Sequence, residues 1–101
     1  MKLSTHHTST GKVISIETDE ELSLKSHSVF VDACRLAEPE HSTIDVDLVR
    51  TRSIRGSGVA MLLMLRELTG WEGGRIRLLN CHPDIRSQLM RSQLGQQFQV
   101  V

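Results

Sequence analysis

The sequence predicts one α/β domain over residues 1–101, with a mixed β-sheet of about five strands and three or more helices mainly on one face. Strand-like and helix-like patterns follow one another in the order β-β-α-β-α-β-α-β, which implies right-handed crossovers between parallel strands. Three strands alternate apolar and polar residues, so the sheet has one core-facing side. The chain has 101 residues, of which 39% are hydrophobic, and this is enough for one modest core.

The first two strands are expected to form a hairpin. Residues 3–8 and 12–17 have strand-like patterns on either side of Ser9-Thr10-Gly11, which is a plausible turn. The residues of the second strand that share one face are Ile14 and Ile16. The acidic residues 19–21 then interrupt the β pattern.

A first helix is predicted over residues 23–37, because apolar residues recur there at helical spacing. The core-facing stripe consists of Phe30, Ala33, Cys34 and Ala37, widened by Val29 and Leu36. Glu38-Pro39 ends this helix, since the residue before a proline avoids the α region.

Two further strands alternate clearly. Residues 43–49 place Ile44, Val46 and Leu48 on one face, and Asp45 and Asp47 on the other. The two carboxylates predict a solvated outer face of the sheet. Residues 75–79 repeat the pattern, with Ile76 and Leu78 inward and Arg75 and Arg77 outward.

The remaining helices have recognisable ends. A second helix is predicted over residues 57–69, stopping at Gly70. A third begins at His82-Pro83-Asp84, since proline suits the first turn and an acidic residue suits the positive helix end. Its buried face consists of Ile85, Leu89 and Met90. Gly95 closes this helix, and residues 98–101 form the last strand.

Composition excludes several classes of function. Twelve basic and twelve acidic residues cancel, which gives no reason to expect nucleic acid or an anionic membrane as partner. The longest apolar run, residues 59–65, is far too short to insert into a membrane. Cys34 and Cys81 lie far apart, form no CxxC or metal spacing, and are interpreted as buried thiols in a reducing compartment, with the cytoplasm as the expected location. The five histidines do not pair with other ligands at metal spacing, so no metal or cofactor is expected.

The second helix carries more apolar surface than one core-facing stripe needs. That stripe consists of Gly58, Met61, Leu62, Leu65 and Leu68, and the residues partly outside it are Val59, Leu63 and Met64. A helix that is apolar over most of its circumference is either centrally buried or meets a partner. Neighbouring helices or a homodimer explain the surplus in one reading, and a docking surface for a different protein explains it in the other.

Two segments carry motifs of a known family. Residues 44–48 are Ile-Asp-Val-Asp-Leu, and residues 55–60 are Arg-Gly-Ser-Gly-Val-Ala. These motifs and their order resemble the STAS domain, the fold of anti-anti-sigma factors, which has a hydrophobic-Asp-Leu strand at the first position and Asp-Ser-Ser/Thr-Gly-Leu-Gly at the second. Residues 61–67, 77–86 and 94–98 resemble the second helix, the fourth strand with the start of the third helix, and the closing element. His27-Ser28-Val29-Phe30 fits the first helix.

The resemblance implies a non-enzymatic switch in bacterial partner-switching signalling. Such domains bind an anti-sigma factor, usually a histidine-kinase-like ATPase, through the loop and the second helix. The kinase then phosphorylates the first serine of the motif, and the added charge breaks the complex. Partner binding is therefore expected at the loop and the helix start, namely at Arg55, Gly56, Ser57, Gly58, Val59 and Leu63.

The chain departs from the family at the phosphorylation motif. Arg55 stands at the aspartate position and Gly56 at the phosphoacceptor position, and glycine has no hydroxyl to phosphorylate. Ser57 occupies the second Ser/Thr position. It is interpreted mainly as the helix N-cap, and a displaced phosphoacceptor is the alternative.

Two other functions remain open at this point. Arg50, Arg52 and Arg55 make the loop basic beside the positive end of a helix. In one reading these arginines are solvated and pair with the acidic residues of the first loop. In the other reading they form the binding site of an anion or nucleotide sensor. The other alternative is a STAS subunit that binds the ATPase of a lipid transporter of the ABC type.

Overall fold

The computed structural model describes residues 2–9, 11–37, 42–69, 75–92 and 94–101. Three sequence predictions lie outside these residues: the turn residue Thr10, the helix-ending Glu38-Pro39 and the helix-ending Gly70.

A five-stranded mixed sheet in the order β1-β2-β4-β6-β7 organises the chain. Its strands are β1 (Lys2–Thr8), β2 (Gly11–Glu17), β4 (Ser42–Asp47), β6 (Ile76–Leu79) and β7 (Gln99–Val100). The hairpin partners β1 and β2 are antiparallel, and the other neighbours are parallel. The predicted fold class is confirmed.

Within the described residues, four helices and a small second sheet complete the fold. The helices are α1 (His27–Leu36), preceded by a 3-10 turn (Leu24–Ser26), α2 (Gly56–Thr69), α3 (Pro83–Arg91) and α4 (Leu94–Gln97). The small sheet pairs β3 (Glu21–Leu22) in parallel with β5 (Ser53–Ile54). The acidic loop after β2 was expected to interrupt the β pattern, but it contributes this short strand.

The core lies between the helices and one face of the sheet. The predicted inward residues of the strands are fully or almost fully buried: Ile14, Ile16, Ile44, Val46, Leu48, Ile76 and Leu78. The helices add Phe30 and Ala33 from α1, Met61, Leu62 and Leu65 from α2, and Ile85 and Leu89 from α3. Period-two and period-3.6 patterns predicted these faces because each element has one apolar side.

Three apolar residues that were assigned to buried faces are exposed. Leu36 lies at the end of α1, Leu68 lies in the last turns of α2, and Met90 lies near the end of α3. All three are close to the C-terminal ends of their helices.

The predicted end of α3 at Gly95 is wrong. The helix ends at Arg91, and the hydroxyl of Ser92 accepts a hydrogen bond from the Leu94 amide at 3.2 Å, where α4 begins. Gly95 is inside α4. A Cβ there would lie 3.0 Å from the Met90 sulfur, so the glycine permits close packing of α4 on α3.

The solvated outer face predicted from Asp45 and Asp47 is also partly wrong. Asp45 is buried, and Arg77 of the neighbouring strand covers it. Nε and Nη2 of Arg77 donate to Oδ1 and Oδ2 of Asp45, each at 2.7 Å. The two residues are direct cross-strand neighbours, so a single bidentate pair removes the carboxylate from water. Asp47 is half-buried and accepts from the Val49 amide and from the Asn80 side chain.

Two threonines connect the carboxyl ends of β2 and β4. The Thr18 and Thr51 hydroxyls are hydrogen-bonded to each other, and both residues are fully buried. Thr51 also donates to the Asp19 carbonyl at 2.8 Å, and the Thr18 amide donates to the Asp47 carbonyl at 3.1 Å. These bonds fix the loops that lead to β3 and β5.

Candidate functional site

The segment that begins α2, residues 54–64, is called the α2 corner here. The pairing of β3 with β5 places residues 20–24 directly beside its start. The Arg52 and Ser53 amides both donate to the Glu20 carbonyl, and the Arg55 amide donates to the Leu22 carbonyl at 3.0 Å. The α2 corner is therefore made from two chain segments about thirty residues apart in sequence.

Gly56 and Gly58 have different surroundings. Gly56 is exposed, and a Cβ there would have no neighbouring atom within 4 Å. Gly58 is buried, and a Cβ there would clash with the backbone carbonyl of Leu22. Gly56 therefore leaves open space for another molecule, whereas Gly58 permits β3 of the same chain to approach α2.

Ser57 is not the N-cap of α2. The helix begins at Gly56, and the Arg55 carbonyl already accepts from the Val59 amide at 3.0 Å. Ser57 therefore lies inside the first turn. Its hydroxyl oxygen accepts a hydrogen bond from the Leu24 amide at 3.1 Å, so it binds the neighbouring segment and not the start of its own helix.

The apolar residues of α2 lie partly on a buried face and partly on an exposed face. Met61, Leu62 and Leu65 are buried, and Val59 and Met64 are half-buried against the same core. The exposed residues recur at helical spacing on the other face, namely Gly56, Ala60, Leu63 and Glu67. Leu63 is 40% exposed. Neighbouring elements thus cover part of the apolar surplus and leave a narrow face with small and apolar residues at positions 56, 60 and 63 and with Glu67 at its far end.

The three arginines of the predicted anion site do not converge. Nε of Arg55 lies 2.9 Å from Oε2 of Glu21, and Arg50 lies 3.8 Å from Glu17. Both ion pairs are exposed, so each adds little stability. Nη1 of Arg52 lies 2.9 Å from Nδ1 of His82. Each guanidinium is directed to a different partner in its own chain.

His82 also fixes the loop before β5. A guanidinium only donates, so Nδ1 of His82 accepts from Arg52, and Nε2 carries the ring proton and donates to the Val49 carbonyl at 2.8 Å. Gln88 of α3 donates to the Ile54 carbonyl at 3.2 Å. His82 and the α3 residue Gln88 thus anchor the loop that leads into the α2 corner.

One exposed residue of this region was missed in the sequence. Leu24 lies in the 3-10 turn before α1 and is 62% exposed, beside the buried residues Ser23 and Ser26. It lies outside the Phe30 stripe, so its position in the helical pattern could have marked it as an outward apolar residue.

A polar cleft of about 320 Å³ lies next to Leu24. Its lining residues are Asp19, Glu20, Glu21, Ser23, Lys25 and Arg50. The lining combines three acidic residues with two basic ones. Within the described parts of the chain, no cluster of three or more histidine, cysteine or acidic side chains is arranged to hold a metal ion.

Comparisons with known proteins identify the family. No family model matches the chain. A STAS-domain containing protein of Pseudomonas aeruginosa (strain UCBPP-PA14) is 30% identical over 90 residues, which cover 89% of this chain and 89% of that protein. The chain belongs to the STAS-domain proteins.

Solved structures show the same fold. The unphosphorylated form of the anti-sigma factor antagonist SpoIIAA aligns with a TM-score of 0.65 at 23% identity, covering 99% of this chain and 88% of that one. The phosphorylated form of SpoIIAA, a Bacillus cell fate determinant, aligns with a TM-score of 0.55 at 21% identity and covers 99% and 91%. At this identity the similarity establishes the fold.

Proposed function

We propose that this chain is a non-enzymatic protein-binding module of the anti-sigma factor antagonist type, acting in bacterial partner-switching signalling in the cytoplasm. Its partner is an anti-sigma factor or a histidine-kinase-like ATPase, and the α2 corner binds it. Family membership and the SpoIIAA-like fold support this role. The observation that carries the proposal is the exposed face of α2, which presents Gly56, Ala60 and Leu63 while the opposite face is buried.

The chemistry of this face suits protein binding. Gly56 and Ala60 have almost no side chain, so a partner backbone can approach the helix closely. Leu63 supplies apolar contact, and the half-buried Val59 extends it. Arg55 is 68% exposed and sets the charge at the entrance to the face. Removal of apolar surface from water drives such association, and the charged rim selects the partner.

The proposed module is not regulated by phosphorylation at the family's usual position, Gly56. Gly56 has no hydroxyl. Ser57 is half-buried, and its oxygen already accepts the Leu24 amide, so a phosphate there would have to displace the 3-10 turn. A dianion in a close interface must be desolvated, which breaks a complex. Without that modification the chain stays competent to bind.

The two alternative functions, an anion sensor and a subunit of a lipid transporter, require different structural features. An anion sensor needs converging cations, and the arginines at positions 50, 52 and 55 are directed to separate partners. A subunit of a lipid transporter would use the same α2 corner on a different ATPase. The identity of the captured ATPase therefore distinguishes the signalling role from the transporter role.

Affinity capture from the native host tests the proposal. The unmodified chain is compared with Leu63→Glu and with the matched control Met90→Glu, which changes an exposed apolar residue on α3. A histidine-kinase-like ATPase should be retained by the unmodified chain and by Met90→Glu, and reduced at least tenfold by Leu63→Glu. Equal retention by all three chains would contradict binding through α2.

Gly56→Ser extends the same experiment. The position has open space, so the substitution should fold normally and supply the missing hydroxyl. Incubation with the captured ATPase and ATP should phosphorylate Gly56→Ser and leave the unmodified chain and Gly56→Ala without phosphate, as measured by intact-mass spectrometry. Phosphate on Ser57 of the unmodified chain would refute the unregulated state proposed here.

A further inference from the structure

We infer that the binding face continues from α2 onto Leu24, and that Ser57 is the positioning residue that holds Leu24 there. This inference rests on the proposed function and adds a second apolar anchor to the same site. The occupant is the same partner protein. It would present an apolar socket for Leu24 with a carboxylate at the rim.

The exposure of Leu24 is unusual for its position. Both residues that precede it, Leu22 and Ser23, are buried, and so is Ser26 at the end of the turn. The Ser23 side chain accepts from the Lys25 amide, which closes the turn at its start. A large apolar side chain is therefore held outward on a well-anchored backbone, which lowers the entropy lost when a partner covers it.

Three further contacts join this turn to the start of α2. The Leu24 amide donates to the Ser57 hydroxyl, the Leu22 carbonyl accepts from the Arg55 amide, and Glu21 pairs with the Arg55 side chain. The absence of a side chain at Gly58 lets α2 lie against Leu22. Leu24 is consequently fixed relative to the α2 corner, and one partner can contact both.

Charge indicates the chemistry of the socket rim. Lys25 follows Leu24, is exposed, and makes no ion pair with the described residues. Arg55, by contrast, lies against Glu21. Lys25 shares the polar cleft with Asp19, Glu20 and Glu21, and a carboxylate of the partner would compete with these three for it. A charged rim of this kind speeds association.

Site-specific photo-crosslinking in the native host tests the extended face. Leu24, Leu63 and the control Met90 are replaced singly by p-benzoylphenylalanine. Crosslinking of positions 24 and 63 to one and the same protein, with position 90 giving none, is the expected result. Crosslinks from position 63 alone, or different proteins at positions 24 and 63, would overturn this inference and leave the α2 corner in place.

The outcomes also separate this inference from the proposed function. If positions 24 and 63 share a crosslinked protein that is not an ATPase or anti-sigma factor, the extended face stands and the proposed function fails. If neither position crosslinks, both fail.

The role of Ser57 has its own readout. Ser57→Ala removes the acceptor of the Leu24 amide, so hydrogen exchange at that amide should accelerate about fivefold, and Ser57→Thr should restore protection. In the two crosslinking variants, Ser57→Ala should lower the crosslinking yield at position 24 several times more than the yield at position 63. An equal fall at both positions would indicate a general structural role and reject positioning of Leu24.

Discussion

Gly56 and Gly58 are two residues apart in α2 and serve opposite purposes. The first leaves a gap at the surface, and the second lets β3 and α2 touch. A glycine-serine-glycine pattern predicts a tight structure at a helix start, but it does not indicate which glycine faces solvent. That distinction depends on Leu22, which is 36 residues away from Gly58 in the chain and is brought there by the pairing of β3 with β5.

Alanine substitutions should separate the two glycines by stability. Gly58→Ala places a methyl group against the Leu22 carbonyl and should lower the free energy of unfolding by about 2–3 kcal/mol. Gly56→Ala meets no atom and should change it by less than about 1 kcal/mol, with a small gain expected from helix propensity. Urea denaturation measures both. Equal effects would contradict the packing of β3 on α2.

The exposure of two expected site residues has a local cause. Gly56 and Leu63 are exposed because the helical period leaves them opposite the core stripe, whereas Arg55 precedes the helix and is exposed in the loop. Ser57 was misassigned as the N-cap, because its partner Leu24 lies 33 residues away and no local pattern contains that hydrogen bond. The partner-binding role of these residues remains a prediction.

Among the secondary-structure elements, β4 and β6 show how a polar pair can be buried in a sheet. Alternation predicted that Asp45 and Arg77 both point outward, and they do, as direct cross-strand partners. The fork between them shields the carboxylate. The hydrogen bonds that Arg77 donates to Asp45 stabilise the charged guanidinium and hold the pKa of Arg77 above its usual range, although partial burial opposes this.

Breaking this pair should cost more than breaking a surface pair. Arg77→Ala leaves the Asp45 carboxylate nearly buried without its two donors and should lower the free energy of unfolding by about 2 kcal/mol. Arg35→Ala is the control, since its 4.0 Å pair with Asp32 is exposed and should be worth less than about 0.5 kcal/mol.

The pH sets a further check on this pair. Because the pKa of Arg77 is raised, its guanidinium is charged in both the folded and the unfolded chain at neutral pH. The difference in the free energy of unfolding between Arg77→Ala and the unmodified chain should therefore be constant from about pH 6 to 9. A difference that changes steeply across that interval would contradict the assignment of the stabilising charge to Arg77.

For the whole molecule, the two cysteines link stability to alkaline pH. Cys34 on α1 and Cys81 after β6 are half-buried free thiols. Burial raises the pKa of both, and the charge of Arg86 only partly offsets this at Cys81. The folded protein therefore disfavours the thiolate relative to the unfolded chain.

Raised thiol pKa values make the folded protein less stable as the pH rises. The thiol contribution to stability is complete below the unfolded pKa of about 8.5 and is lost as pH rises through the higher folded values. A Cys34→Ser, Cys81→Ser variant should lose less stability than the unmodified chain between about pH 8 and 10, as measured by urea denaturation in reducing buffer. Parallel losses would show that the thiols are not held in their protonated form.

The described helices are too short or too polar to cross a membrane; α2, with 14 residues, is the longest of them.

The order of the strands within the sheet comes from the structure. The order of strands and helices along the chain, by contrast, followed from local periodicity, because each strand and helix carries its own apolar face. The α/β class, the five strands and the core faces were therefore readable in the linear pattern of residues.

The chain's long-range contacts could not be read in that way. Leu24 beside Ser57, Leu22 against Gly58 and the Arg77 fork on Asp45 each join residues more than thirty positions apart. Periodicity reports which face of an element is apolar, whereas these contacts depend on how separate elements are placed in space. The composition of the surface at the α2 corner arises from that placement, because residues from two distant segments come together only when β3 pairs with β5.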